Sequence, residues 1–277
     1  MAVQQHRLRG AAFAVAAAVG VTALTGSLSG CSGGRADART GDADPTRAVR
    51  DASAVLAAAG TSKARTSMEM AAGGTRVTIR GEGAYDFRQR AGRLKVLLPS
   101  DASGAEGHTP ITELLAPGAL YMKNRGAGVP ADKWVRIDTT TLHDGNLVTG
   151  GATDPAAAVE LLRGARGVRY VGQVELAGVK VRHYRGTTDI GRAARAASPQ
   201  VRGALAAAAK GFATDTVPFD AYLDDAGRLR KVRHRFSYLN QGRTVAVAST
   251  TLLFAFGSPV DVRLPDARDI YAGWIEG

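Results

Sequence analysis

A single thiol, Cys31, stands directly behind Leu28, Ser29 and Gly30, at the end of an apolar segment that runs from Ala11 to about Leu24. One cysteine can close no disulfide and build no cysteine-type zinc site. Residues 30–34, Gly-Cys-Ser-Gly-Gly, spell the G-x-S-x-G pattern of a nucleophile elbow. That elbow needs a strand before the serine and a helix after it, and neither is predicted here. The histidines are His6, His108, His143, His183 and His234, and no two stand at metal-ligand spacing. His183 and His234 fall on predicted strands, where they could meet across a sheet. Asp224 and Asp225 precede Ala226-Gly227, which reads as a turn rather than a catalytic carboxylate pair. Neither S-x-x-K, H-E-x-x-H nor a phosphate-binding glycine loop in a strand-helix context occurs. The chemistry-bearing residues therefore predict no enzyme, no metal and no cofactor.

The thiol has another use. His6, Arg7 and Arg9 give the N-terminal segment a basic start, and small residues lead up to Cys31, which is the layout of a secretory signal. Leu-Ser-Gly-Cys resembles the lipobox of bacterial lipoproteins. That resemblance implies cleavage before Cys31, a diacylglyceryl group on its sulfur, and residence on the extracytoplasmic face of the cell membrane. Two acyl chains satisfy the condition for stable anchoring, which one chain does not meet. The apolar run is short and rich in Ala and Gly for a spanning helix, which needs about 20 apolar residues.

Residues 1–30 thus read as a lipoprotein signal peptide and 31–43 as a flexible tether, since that stretch is small, polar and charged without an apolar period. Residues 44–277 are expected to form one domain, long enough for an ordinary core. The formal net charge is +11, two fewer once Arg7 and Arg9 are removed. A basic extracytoplasmic chain points to anionic headgroups or cell-wall polymers rather than to nucleic acid.

The elements follow from periodicity. Asp44-Pro45 opens a helix whose Val49, Ala52, Val55, Leu56 and Ala59 fall at helical spacing before Gly60. From Thr66 the period becomes two, and short alternating runs over 66–70, 75–80, 83–88, 94–98, 120–123 and 134–137 read as meandering antiparallel strands. Asp154-Pro155 repeats the helix signal. Residues 168–176 and 179–187 form a hairpin around Ala177-Gly178, and a helix follows over about 198–210. Residues 218–223 and 229–238 form a second hairpin, and 245–256 a last strand. Along 228–238 the period places Val232, His234, Phe236 and Tyr238 on one face and Lys231, Arg233, Arg235 and Ser237 on the other. The last strand is apolar on both faces, so both are expected to be covered.

This order resembles the LolA/LolB-like superfamily, closest to the mycobacterial LppX/LprG-type lipoproteins. The likeness rests on Leu120–Lys123 with Trp134–Ile137, on residues 168–188, on Phe219–Asp224 leading into Gly227–Lys231, and on Phe256–Val262. It implies an α+β fold in which a curved antiparallel β-sheet, a half-barrel, has helices covering its concave face around an apolar cavity. It implies binding of a hydrophobic ligand, an acyl-lipid or lipoprotein acyl chains, by a carrier or a sensor. Leu120, Met122, Trp134, His234, Phe236, Tyr238, Leu252 and Phe254 are the expected lining, and no catalytic motif carries over. The Ala-rich helices allow two outcomes, a roomy cavity or close helix-to-sheet packing. In the second case the chain would be a cell-surface interaction or regulatory module with a filled core.

Overall fold

The computed structural model describes residues 44–72, 74–99, 109–126, 128–150, 152–212, 214–240 and 243–272. Cys31 and the expected signal peptide and tether lie outside the described residues.

Helix α1 (Pro45–Ala59) begins where Asp44 accepts a hydrogen bond from the Thr46 amide at 2.9 Å, with proline in the first turn. Val49, Ala52 and Leu56 form its buried stripe. Strands β1 (Thr61–Ala72), β2 (Thr75–Asp86), β3 (Ala91–Leu97), β4 (Ile111–Ala116), β5 (Ala119–Lys123) and β6 (Trp134–Asp138) follow as a meander. The chain then crosses through α2 (Pro155–Glu160) and a 3-10 turn (Leu161–Gly164) to β7 (Ala165–Leu176) and β8 (Val179–Asp189). Helices α3 (Ile190–Ala196) and α4 (Pro199–Gly211) lead to β9 (Thr216–Leu223), β10 (Leu229–Asn240) and β11 (Arg243–Phe254).

All eleven strands join one antiparallel sheet, in the order β6-β5-β4-β3-β2-β1-β11-β10-β9-β8-β7. The ends β6 and β7 do not pair with each other, so the sheet stays open, the expected half-barrel with helices on one face. The seam is β1 with β11, which joins the two halves of the chain.

Several local expectations hold. Ala177 and Gly178 both take positive φ (50° and 78°), the backbone of a tight hairpin turn between β7 and β8. On β10, Val232, His234 and Phe236 are buried while Arg235 is exposed, as period two requires. Other expectations are corrected. The runs 75–80 and 83–88 are largely one strand, β2. Gly81 and Gly83 do not break it: both stay paired with β1 and β3, and they serve close approaches, since a Cβ at Gly81 would stand 2.5 Å from Thr66 Oγ1 and one at Gly83 would strike the Arg93 carbonyl. Strand β4 and helix α3 add to the predicted elements. The two faces of β11 are unequal. Val245, Val247, Ser249, Thr251 and Leu253 are buried, whereas Leu252 and Phe254 face outward and are only partly covered.

The core fills the space between the inner face of the sheet and the helices. Its largest fully buried side chains include Tyr85, Phe219, Leu56, Met68, Leu120 and Leu161. One acid ties the helical layer together. Glu160 is 1% exposed and binds Arg163 at 2.6 Å, Arg90 at 3.0 Å and Ser53 Oγ at 3.2 Å, and accepts from the Ser198 amide at 3.3 Å. Four segments meet on this carboxylate at the end of α2: α1, the β2–β3 turn, the 3-10 turn and the start of α4.

Candidate functional site

Small residues decide how much room the interior keeps. A Cβ at Gly145 would strike the Ala204 carbonyl, one at Gly203 would stand 2.8 Å from Thr140 Cγ2, and one at Gly211 would strike the His143 carbonyl. The 140–145 loop therefore lies directly on α4. Ala156, Ala157 and Ala158 of α2 are buried in the same way. Of the two outcomes the alanines allowed, close packing is the one observed at this contact. Deeper in, around Tyr85, Asn146 and Ala204, a recess holds only ≈ 20 Å³.

Space opens instead at one end of the half-barrel. A recess of ≈ 530 Å³ lies between the end of β1, the 141–149 loop and the C-terminal end of α4. Met70, Leu142, Val148 and Phe212 give it apolar walls, and His143 and Asp144 mark its polar rim. Asp144 shapes that loop by accepting from the Val148 and Thr149 amides at 2.7 and 2.6 Å. The volume falls within the range of small-molecule pockets.

An aromatic file runs inward from this mouth. Phe212 packs on Phe236 at 5.3 Å between ring centroids, Phe236 on His234 at 5.8 Å, and His234 near Phe219 at 6.3 Å. His234 is 1% exposed, and its Nε2 has no hydrogen-bond partner among the described residues. Burial drops its pKa to about 3, so at neutral pH it is an uncharged member of an apolar wall. Beside it Ser249 is hydrogen-bonded to Thr153 at 2.6 Å, which fastens the chain before α2 to the sheet.

The structure divides the eight expected lining residues. His234 and Phe236 come together behind the mouth. Tyr238 continues their strand, and its side chain lies outside the described residues. Leu120 and Met122 face inward on β5, in the far half of the sheet, where they pack as core. Trp134 faces outward at the β6 edge, with Lys123 Nζ 5.6 Å from its ring. Leu252 and Phe254 also face outward, and Arg65 lies over the Phe254 ring at 5.1 Å. The mouth residues Met70, Leu142, Val148 and Phe212 were not anticipated. Their only sequence signal is apolar character near predicted strand and helix ends.

His183 and His234 do not meet, because they occupy opposite faces. His183 stacks on Tyr222 on the outer face at 4.4 Å and bonds Asp220 at 2.8 Å. Asp220 also takes Arg185 at 2.8 Å and Arg235 at 2.7 Å. Burial pushes its carboxyl upward, but the bonds from Arg185, Arg235 and His183 outweigh that and hold it at about 2. This is a cross-strand clamp over β8, β9 and β10 that leaves no free base. Asp224 and Asp225 form the expected turn, with Asp224 accepting from the Ala226 and Arg228 amides at 3.1 and 3.0 Å. Among the described residues, no three His, Cys, Asp or Glu side chains gather as metal ligands.

No family model and no curated protein matches the sequence. The chain is similar to the crystal structure of the Mycobacterium tuberculosis lipoprotein LppX, with 10% identity over 79% of this chain and 100% of that one, at a TM-score of 0.44. It is similar to LprF from Mycobacterium bovis, with 14% identity over 80% and 96% of the two chains, at 0.39. A LolA-superfamily protein from Nitrosomonas europaea gives 10% identity over 82% and 97%, at 0.33. LppX and the LolA superfamily are names that the sequence resemblance also gave.

Proposed function

We propose that this chain is an extracytoplasmic lipoprotein, anchored through Cys31, that shelters a hydrophobic ligand at the open end of its half-barrel as a carrier or a sensor. The observation that carries the reading is the apolar recess of ≈ 530 Å³ between Met70, Leu142, Val148 and Phe212. Phe236 and the uncharged His234 pack behind its Phe212 wall. The ligand class that suits such walls is an acyl-lipid or the acyl chains of a lipoprotein. Each ~100 Å² of acyl surface removed from water contributes about 2.5 kcal/mol before the cost of ordering the chain. The mechanism is binding alone, with the 141–149 loop and the β1 end as the doorway.

The test is native mass spectrometry of residues 32–277 purified from a lipid-containing host, with organic extraction of any adduct. A stoichiometric acyl-lipid adduct that Val148→Arg removes supports the reading. A bare mass overturns it.

A second reading rests on the packing of α4 against the 140–145 loop through Gly145, Gly203 and Gly211. With so little room deeper in, the half-barrel would act as a scaffold for a protein partner. Specific capture of one partner by a ligand-free domain would support this reading.

A further inference from the structure

The outer face of the sheet carries a second recess, on the opposite side from the mouth. The registers set its floor as a grid of side chains over β11, β1, β2 and β3. One cross-strand row runs Phe254, Lys63, Ala84, Arg93. The next runs Leu252, Arg65, Glu82, Lys95, and the third runs Thr250, Ser67, Arg80, Leu97. Five cations and one acid share twelve positions. Strands are spaced about 4.8 Å apart, so Lys63 and Arg93 stand roughly 10 Å apart with only the Ala84 methyl between them. That gap is a trough with a cation on each bank.

The segment after β11 walls the trough. Gly257 N–H donates to the Thr61 carbonyl at 2.9 Å, and Thr61 Oγ1 donates to the Ser258 carbonyl at 2.7 Å. Farther on, the Tyr271 amide donates to the Trp134 carbonyl at 2.8 Å and Lys133 Nζ to the Arg268 carbonyl at 2.9 Å. Fixed on β1 at one end and on β6 at the other, this strap borders an open groove of ≈ 510 Å³ lined by Lys63, Arg93, Phe254 and Val260 among others. A neighbouring hollow of ≈ 390 Å³ over Arg65, Arg80, Leu97 and Leu252 shares Arg65, Glu82 and Lys95 with it.

Lys63, Arg80, Arg93 and Lys95 have no ion pair among the described residues. Arg65 and Glu82 are 4.0 Å apart and both well exposed, a contact worth little. Asp261 on the strap stands at the groove's border and meets Arg263 at 3.2 Å, an equally exposed pair, so the groove has one acid on its rim beside Glu82. Apolar surface lies beside the cations. Leu97 is 51% exposed, and Phe254 is held under the Arg65 guanidinium. A small inorganic anion would use the cations and leave the apolar floor wet. A neutral lipid would leave the cations unpaired.

We propose that this outer groove binds the phosphate headgroup of an anionic phospholipid, with Lys63 and Arg93 flanking the phosphate across Ala84 and with Phe254, Val260 and Leu252 taking the first part of the acyl chain. The site is separate from the mouth, so it stands or falls independently of the ligand proposed there.

The test is calorimetric titration of the full chain with monomeric dihexanoyl phosphatidylglycerol below its micelle concentration, beside glycerol phosphate and dihexanoyl phosphatidylcholine. The anionic lipid is expected to bind at least tenfold tighter than either. Lys63→Glu with Arg93→Glu is expected to weaken it at least tenfold. Ala84→Leu, which fills the trough without changing charge, is expected to weaken it similarly. Arg169→Glu, a charge change on exposed β7, is expected to change it less than twofold. Glycerol phosphate binding as tightly as the lipid would make the site a plain anion site and overturn the lipid assignment. Equal losses from Arg169→Glu and the groove variants would reduce it to diffuse surface charge. Undiminished binding by Ala84→Leu would overturn the placement.

Discussion

Glu113 sets a pH dependence that can be worked out in advance. It is 0% exposed on β4, on the inner face, opposite Leu94 of β3 and Met122 of β5. Neither carboxyl oxygen has a hydrogen-bond partner among the described residues. Burial pushes its pKa up to about 8, against an ordinary value of 4.5, and a partial offset from Arg125 does not restore it. In the unfolded chain the carboxyl ionises near 4.5, while in the fold it stays protonated to about 8. Stability therefore falls as pH rises through this window. At pH 7 the unfolded chain has gained about 2.5 pH units of ionisation free energy that the fold cannot share, roughly 3 kcal/mol. Glu113→Gln keeps the shape and removes the titration. Urea unfolding at pH 5, 7 and 8.5 should show the wild type losing stability across the series and the variant losing about 2.5 kcal/mol less between pH 5 and 7, since part of the loss has already occurred at pH 5. Parallel slopes for the two proteins would refute the placement of an unpaired carboxyl in this core.

Other perturbations test other parts of the account. Glu160→Gln leaves Arg90 and Arg163 without their shared carboxylate and should cost about 3–5 kcal/mol in urea unfolding, the usual loss when one partner of a buried ion pair is removed. His234→Phe should matter mainly in acid. The folded histidine titrates near 3 and the unfolded one near 6.5, so the wild type loses stability as pH falls through that window and the variant should not. Gly145→Ala should cost at least 2 kcal/mol, because the residue has φ 56° and its Cβ would press on the Ala204 carbonyl, combining backbone strain with a clash. A thermal shift under 2 °C for Gly145→Ala would count against the close loop-to-helix contact.

Much of this fold is legible because its signals are local. Asp44-Pro45, Asp154-Pro155 and Ala177-Gly178 each combine residues whose backbone preferences leave few alternatives, and β10 alternates cleanly between apolar and cationic faces. Strand β11 is harder to read. Its buried face carries Ser249 and Thr251 while its outer face carries Leu252 and Phe254, so hydropathy alone inverts part of it. Outward apolar residues make sense only once the register places them beside Arg65. Helix α3 is short, and its stability comes from packing rather than propensity, with Ile190 and Ala193 fully buried. The Glu160 node shows only its i,i+3 partner Arg163 locally, since its other partners come from positions 53, 90 and 198. Likewise the mouth at Met70, Val148 and Phe212 and the outer groove at Lys63, Ala84 and Arg93 are products of register and loop course. No spacing along the chain announces either one.

The central claim is that a hydrophobic ligand enters between sheet and helices at the Met70–Val148–Phe212 mouth. Its most direct test is the native mass of residues 32–277 from a lipid-containing host, measured beside Val148→Arg. The account predicts an extractable acyl-lipid adduct on the wild type that the variant lacks. A wild-type mass without adduct, or an adduct that persists undiminished in the variant, would contradict it.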